Sequence, residues 1–259
     1  MSNDLTLYGD FTLEAAEEEI AAAKRRSSKI IRKLEAGTYR FRFLPPRAGS
    51  STIFYESDEH YVELPGGKGT GFNCPREMAK QPCPVCRDVS RLLVSANAGN
   101  AADADMVEKL SPRHYFWAAV IDRDDPTNTI KPFRFGKTIY EELLGFRRKM
   151  NLNFSHPVSG IDIVITREGS TKNNTDYKVT TNPEGRTRLL ADDDAMLEML
   201  TSIPNLKDTV CRVPGEEEIQ AILRGERPQL GGGAMSGIGV KSLNAGEQQP
   251  KRATDYVKR

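Results

Sequence analysis

Residues 38–44, TYRFRFL, alternate cleanly, with Tyr39, Phe41 and Phe43 on one side and Arg40 and Arg42 on the other. A period of two predicts a strand with an apolar face and a cationic face, and Pro45-Pro46 ends it. Residues 52–56 and 60–64 predict two further short strands. The strongest strand signal is 113–123, RHYFWAAVIDR, where Tyr115, Phe116 and Trp117 are consecutive. Both faces of that strand therefore carry an aromatic, and we expect at least one ring to be exposed or partly exposed. DRDDPTN reverses the chain, and 130–135, IKPFRF, returns with Phe133 and Phe135 on one face and Arg134 on the other. Residues 161–166 and 176–181 read as a hairpin joined by the polar loop REGSTKNN.

The helical period appears most clearly in 137–150, where Ile139, Leu143, Phe146 and Met150 make a core-facing stripe. Residues 12–34 also predict a helix, with Thr12 as N-cap and a thin stripe of Leu13, Ala16, Ile20 and Ala23. Short helices are expected at 87–96, 192–200 and 215–224, and residues 96–105 read as a small-residue linker or surface loop. From Gly231 onward no apolar face repeats, so 229–259 is expected to be a flexible tail. About seven short strands with rim helices predict a mainly β fold with peripheral helices, built on an OB-type barrel. The expected division is an N-terminal helix and basic segment at 1–35, a core at 36–228 and the tail at 229–259.

Candidate chemistry lies between two of these strands. His60, Cys74, Cys83 and Cys86 follow the spacing H-x13-C-x8-C-x2-C. Pro82 and Pro84 stiffen the C-x2-C turn, and Gly66, Gly67, Gly69 and Gly71 let the preceding chain loop back. Three sulfurs and one imidazole suit one tetrahedral Zn²⁺, and four protein ligands make the site structural. The zinc subdomain is expected to span 57–95. Disulfides or plain buried thiols are the other readings of these cysteines. The fourth cysteine, Cys211, has no obvious partner, which points to a reducing compartment. A catalytic, deaminase-like zinc is a further reading, since Pro82-Cys83-Pro84-Val85-Cys86 matches P-C-x-x-C. It is weakened because the other half reads His60-Tyr61-Val62-Glu63 rather than H-x-E. Cys74 would also take the place a catalytic water needs. His114 and His156 lack the flanking groups expected of a general base.

Charge refines the picture. The net charge is +1, but residues 1–23 hold six acids and no Lys or Arg, whereas 24–42 hold eight bases and one acid. Residues 184–219 are acidic on balance and are not expected to face nucleic acid. No apolar run approaches the roughly 20 residues of a membrane span, and the start lacks the pattern of a signal peptide. Strands that combine aromatics with arginines suit unpaired nucleic acid: cations track phosphates and rings stack on bases, at roughly 1–3 kcal/mol per base. Candidate rings are Tyr39, Tyr61, Phe116, Trp117 and Phe133. Candidate cations are Arg40, Arg42, Arg113, Arg134 and Lys137. The competing functions are a zinc enzyme acting on nucleic acid and a zinc-stabilised protein adaptor.

Four stretches carry a resemblance to a known family: Tyr39 to Pro45, the zinc set ending in Cys-Pro-Val-Cys, Tyr115-Phe116-Trp117-Ala118 through Phe133 to Lys137, and His156-Pro157 to Ile165. Over about residues 36–210 the chain resembles the single-stranded DNA-binding, helix-destabilising proteins of T-even-type bacteriophages. The resemblance implies an OB-fold core with an inserted structural zinc subdomain and a basic cleft for single-stranded DNA. It implies roles in phage replication, recombination and repair, partner proteins from those processes, and the cytoplasm of an infected bacterial host. In that family a basic, hydroxyl-bearing motif near the N-terminus mediates self-association along the strand. Lys24, Arg25, Arg26, Ser27 and Ser28 are similar, but lie behind an acidic segment. The family also ends in an acidic tail that recruits partners. Here residues 231–259 hold five bases and two acids, so the acids between Asp4 and Glu19 are expected to take that role instead.

Overall fold

A computed structural model describes residues 30–64, 69–169, 171 and 174–226. The segments expected to hold the basic self-association cluster and the tail lie outside the described residues. So does most of the helix expected at 12–34. Its final residues are not helical: Ile31 forms a parallel bridge to Phe133, its amide donating to the Pro132 carbonyl and its carbonyl accepting from the Arg134 amide.

Seven strands form one antiparallel sheet: β1 (Gly37–Phe43), β2 (Tyr55–Glu63), β3 (Gly69–Asn73), β4 (Arg113–Asp122), β5 (Ile130–Phe135), β6 (Gly160–Glu168) and β7 (Asp176–Thr187). The described residues also contain six helices: α1 (Pro75–Ala79), α2 (Pro84–Asn97), α3 (Ala101–Leu110), α4 (Lys137–Met150), α5 (Asp193–Thr201) and α6 (Glu216–Leu223). The mainly β expectation with peripheral helices is therefore met. The two short strands expected at 52–56 and 60–64 merge into the single strand β2, which turns back into β3. Of the linker expected at 96–105, residues 96–97 end α2, 98–100 connect the helices and 101–105 begin α3. Asn100 caps that helix, its side-chain oxygen accepting from the amides of Ala102 and Asp103.

The longest-range organiser is β4. One edge pairs with β5 along 116–121. The opposite edge is shared: β2 takes its first half, with Tyr55 opposite Trp117, and β1 takes its end, with Phe43 opposite Val120. β1 then passes the sheet on to β6 and β7. A strand that hands over from one neighbour to the next along a single edge bends the sheet around itself, as a small barrel requires.

The two faces of β4 enter two different cores. Phe116, Ala118 and Val120 pack with Tyr39, Phe41, Phe43, Phe133, Phe135, Ile163 and Ile165, closed by Ile139 and Leu143 of α4. Trp117, Ala119 and Ile121 pack on the other side with Leu44, Leu189, Met196 of α5, Ile203 and Leu206. Consecutive aromatics are thus satisfied by two hydrophobic layers, and Phe116 and Trp117 are both buried. The expected exposed ring exists, but it is Tyr115, which is half-buried. The stripe of α4 runs out toward its end, where Met150 is exposed.

β1 keeps its apolar face, yet its second face is not a uniform cationic surface. Arg42 is fully buried, its Nε 3.0 Å from Asp162 and its Nη2 donating to the Thr187 carbonyl and hydroxyl at 2.6 Å each. The β6–β7 register shifts between Ile161 and Ile163, so Asp162 leaves the regular ladder. A bulge of this kind re-aims a side chain, and the Asp162 carboxylate also accepts from Arg123 Nε at 3.2 Å.

Candidate metal centre and nucleic-acid groove

His60 sits mid-strand in β2, on the face opposite Tyr61. Cys74 follows β3 and caps α1, Cys83 caps α2, and Cys86 lies in the first turn of α2. Hairpin and helix thus deliver four donors to one point. All four residues are buried, and their donor atoms lie within 4.8 Å of one another. Cys74 Sγ stands 3.4 Å from Cys86 Sγ, and His60 Nε2 stands 3.4 Å from both Cys83 Sγ and Cys86 Sγ. A disulfide needs about 2.05 Å, so no pair among these thiols is bonded. Metal–ligand bonds of about 2.1–2.3 Å place tetrahedral donors roughly 3.5–3.8 Å apart, close to the spacing seen. His60 Nδ1 lies 2.7 Å from the Leu110 carbonyl, which accepts its proton and leaves the Nε2 lone pair for a metal. The group can hold one metal ion.

Without a cation two of the three thiols resist ionisation. The Cys74 thiol is pushed up to about 11, first by its hydrogen bond to Cys83 and then by burial. Burial is the main cause that lifts Cys86 to about 11, whereas the hydrogen bond from Cys74 lowers Cys83. A divalent ion at the centre reverses this balance by stabilising thiolates. Around the cluster pack Val62, Phe72, Val85 and Ile219, the last from α6. Glu63 is exposed on the opposite face of β2 from His60, so a general acid beside the metal, as a deaminase needs, is not supplied by Glu63.

The outward face of the same hairpin borders a groove of about 680 Å³. Its walls are Tyr61 of β2, Gly69 to Gly71 of β3, Arg113 and Tyr115 of β4, Arg134 of β5, Arg32 to Leu34 ahead of β1, and Tyr177 of β7. Tyr61 is exposed and lies across Gly69, where a Cβ would collide with its phenol. Arg134 lays its guanidinium over the Tyr115 ring at 4.3 Å from the centroid. One carboxylate, Glu59, is buried in the groove wall, and Arg134 Nη1 reaches it at 2.5 Å. The groove thus combines four cations, Arg32, Lys33, Arg113 and Arg134, with three phenol rings.

Residues 36–219 match the profile of a known family described as gp32 DNA binding protein like. The chain belongs to this family. No curated protein matches the chain. The gp32-like span contains all four metal-site residues and most of the groove, while Arg32, Lys33 and Leu34 precede it.

Within this gp32-like core the ten candidate DNA contacts divide. Tyr61, Arg113 and Arg134 line the groove, and Lys137 stands beside its rim at the start of α4, 3.5 Å from Glu141. Arg40 is half-exposed but lies away from the groove lining and pairs with Glu184 at 3.7 Å. The remaining five require correction. Tyr39, Phe116 and Phe133 are buried in the first core, and Phe133 only floors the groove. Trp117 is 0% exposed, and its Nε1 donates to Ser57 Oγ at 2.9 Å. Arg42 is locked against Asp162. None of these five presents a free surface to a base or phosphate. Arg32, Lys33, Glu59, Tyr115 and Tyr177 were not expected in the groove. Tyr115 was accessible from parity alone, because it shares a face with Arg113 two residues earlier. His114 pairs with Asp58 at 3.0 Å, and His156 Nδ1 accepts from the amides of Val158 and Ser159 in a tight turn. Neither histidine lines the groove.

Proposed function

We propose that the protein is a non-enzymatic, sequence-independent binder of single-stranded DNA, held in shape by one structural Zn²⁺ on His60, Cys74, Cys83 and Cys86. The observation that carries the reading is the groove, where cations alternate with phenol rings in a member of the gp32-like family. In a duplex the base faces are already stacked, so rings in a groove serve unpaired strands, while the cations serve phosphates. Tyr61, Tyr115 and Tyr177 are the stacking surfaces, with Arg32, Arg113 and Arg134 around them. Lys33 and Lys137 extend the positive rim. The metal fits a structural role because four protein donors would fill a tetrahedron and all four residues are buried.

In this reading the protein coats unpaired DNA during phage replication, recombination and repair, in the cytoplasm of an infected bacterial host. Neighbouring copies associate along the strand through Lys24 to Ser28, and phage replication and recombination proteins dock on the assembly. The unit that binds is the core at 36–228, with its metal subdomain at 57–95, joined in the groove by Arg32 and Lys33 of the flanking segment 1–35 and followed by the segment 229–259. Among the described residues no helix is long and apolar enough to cross a membrane.

Titration of the purified protein with oligo-dT and with duplex of equal length, across a salt series, tests the reading. Oligo-dT should bind tightly at low salt, duplex more weakly, and affinity should fall linearly on logarithmic axes as salt rises. Elemental analysis of the same sample should give one zinc per chain. Unshifted oligo-dT in dilute buffer would end the proposal.

A further inference from the structure

A carboxylate inside an anion-binding groove opposes the phosphate it should attract, yet Glu59 lies there with its side chain only 6% exposed. We infer that Glu59 is a positioning residue that divides the groove's arginines into two kinds: Arg134 is fixed as a stacking surface, and Arg32 is left to meet phosphate. The inference rests on the groove being the single-strand site.

Glu59 is itself held rigidly. Its Oε1 accepts from Ser57 Oγ at 3.0 Å, and Ser57 Oγ accepts from the buried Trp117 Nε1 at 2.9 Å. Its Oε2 is thereby aimed at Arg134 Nη1, 2.5 Å away. Arg134 is held at three further points, with one side left to the groove. Its Nε donates to the Arg32 carbonyl at 3.1 Å, its backbone amide donates to the Ile31 carbonyl at 2.8 Å, and one face of its guanidinium covers Tyr115. Its side chain is 20% exposed. Arg32 reaches the same Glu59 oxygen only at 3.8 Å, with its side chain 51% exposed.

The two environments have different consequences for binding. A guanidinium already neutralised by a buried carboxylate neutralises little phosphate charge, so it displaces few of the strand's counterions and adds little to the salt dependence. Being planar and weakly hydrated, it still stacks well. Arg134 laid on Tyr115 is therefore a flat laminate for an incoming base. Arg32 is half-exposed and holds only the longer contact to Glu59 and a guanidinium 5.5 Å from the Trp117 ring centroid, so it gives up less than Arg134 in moving onto a phosphate.

Measurement of oligo-dT affinity against salt for wild type, Arg32→Ala, Arg134→Ala and Glu59→Gln tests the division, with thermal unfolding and metal content confirming that each variant is folded. Arg32→Ala should flatten the slope of log K against log salt by about 0.7, one phosphate contact on a single strand. Arg134→Ala should lower affinity about tenfold at every salt concentration, with the slope kept near the wild-type value. Glu59→Gln should steepen the slope by about 0.7, because it releases the Arg134 charge. Equal flattening by both arginine variants, or an unchanged slope in Glu59→Gln, would overturn the inference while leaving the groove as the binding site. If Glu59→Gln does not fold, the two arginine variants alone decide. Wild-type protein that leaves oligo-dT unbound would instead remove the groove reading, and the inference with it.

Discussion

Arg42 and Arg134 look alike in the sequence, each an arginine between two phenylalanines on an alternating strand. Parity places both correctly on the face opposite the rings, but it cannot say what covers that face. For Arg42 the cover is Asp162 on the β6 bulge, together with the Thr187 and Phe154 carbonyls, all from the later part of the chain. For Arg134 one side stays open to the groove. The same reasoning separates Tyr61, whose ring is exposed, from Trp117, whose buried ring lies under the Arg32 and Arg134 guanidiniums and donates from Nε1 to Ser57. The difference is measurable as stability. Arg42→Ala leaves Asp162 buried with only Arg123 as partner, and breaking a buried pair by removing one member costs about 3–5 kcal/mol. Urea unfolding should record a loss of that size. Arg113→Ala, on the exposed end of β4, should stay within about 0.5 kcal/mol of wild type and lower DNA affinity instead. A wild-type midpoint for Arg42→Ala would show that the buried pair contributes little.

Elements were legible where one period dominated and illegible where packing decided. α4 and β5 fall where the pattern places them, because each carries its own repeating apolar face. α3 was invisible: its alanines and aspartates read as a loop, and only the Asn100 cap and its packing on α2 make it a helix. The metal centre was the opposite case, since ligand type and spacing are written locally even though the geometry is not. Its chemistry sets a pH dependence. With Cys74 and Cys86 raised to about 11 in the metal-free cluster, both are thiols at neutral pH and must lose protons when a metal binds. Affinity for zinc should therefore rise with pH and fall as the solution is acidified. Calorimetric titration of metal-free protein with zinc at pH 7, in buffers of different ionisation enthalpy, should show two or more protons released per ion, one each from Cys74 and Cys86 at the least. Release of none would mean the cysteines are already thiolates before the metal arrives.

At the scale of the molecule, one strand sealed between two cores explains why the sequence overstated its exposed rings. A pattern of apolar faces reports which positions want cover, not how many layers provide it, and here α5 and residues 203–211 supply a second layer from the acidic C-terminal part of the fold. Four cations, Arg32, Lys33, Arg113 and Arg134, meet in the groove bordered by β2 and β3. The chain then places six acids in residues 1–23 directly ahead of eight bases in 24–42, and the first described residues of that basic stretch, Ile30 to Leu34, run alongside β5 into the groove wall. We expect an acidic segment joined so closely in sequence to a cationic groove to compete with phosphate, at an effective concentration set by the linker. Unlike a contact inside the fold, this competition is screened within a Debye length of about 10 Å at 0.1 M salt. Removal of residues 1–20 should therefore raise oligo-dT affinity several-fold at about 0.02 M salt and leave it nearly unchanged at about 0.3 M. The contrast between the two conditions is what distinguishes competition from a loss of self-association, which would lower affinity at both. An unchanged affinity at low salt would mean that the acids of the first segment serve a partner other than the groove.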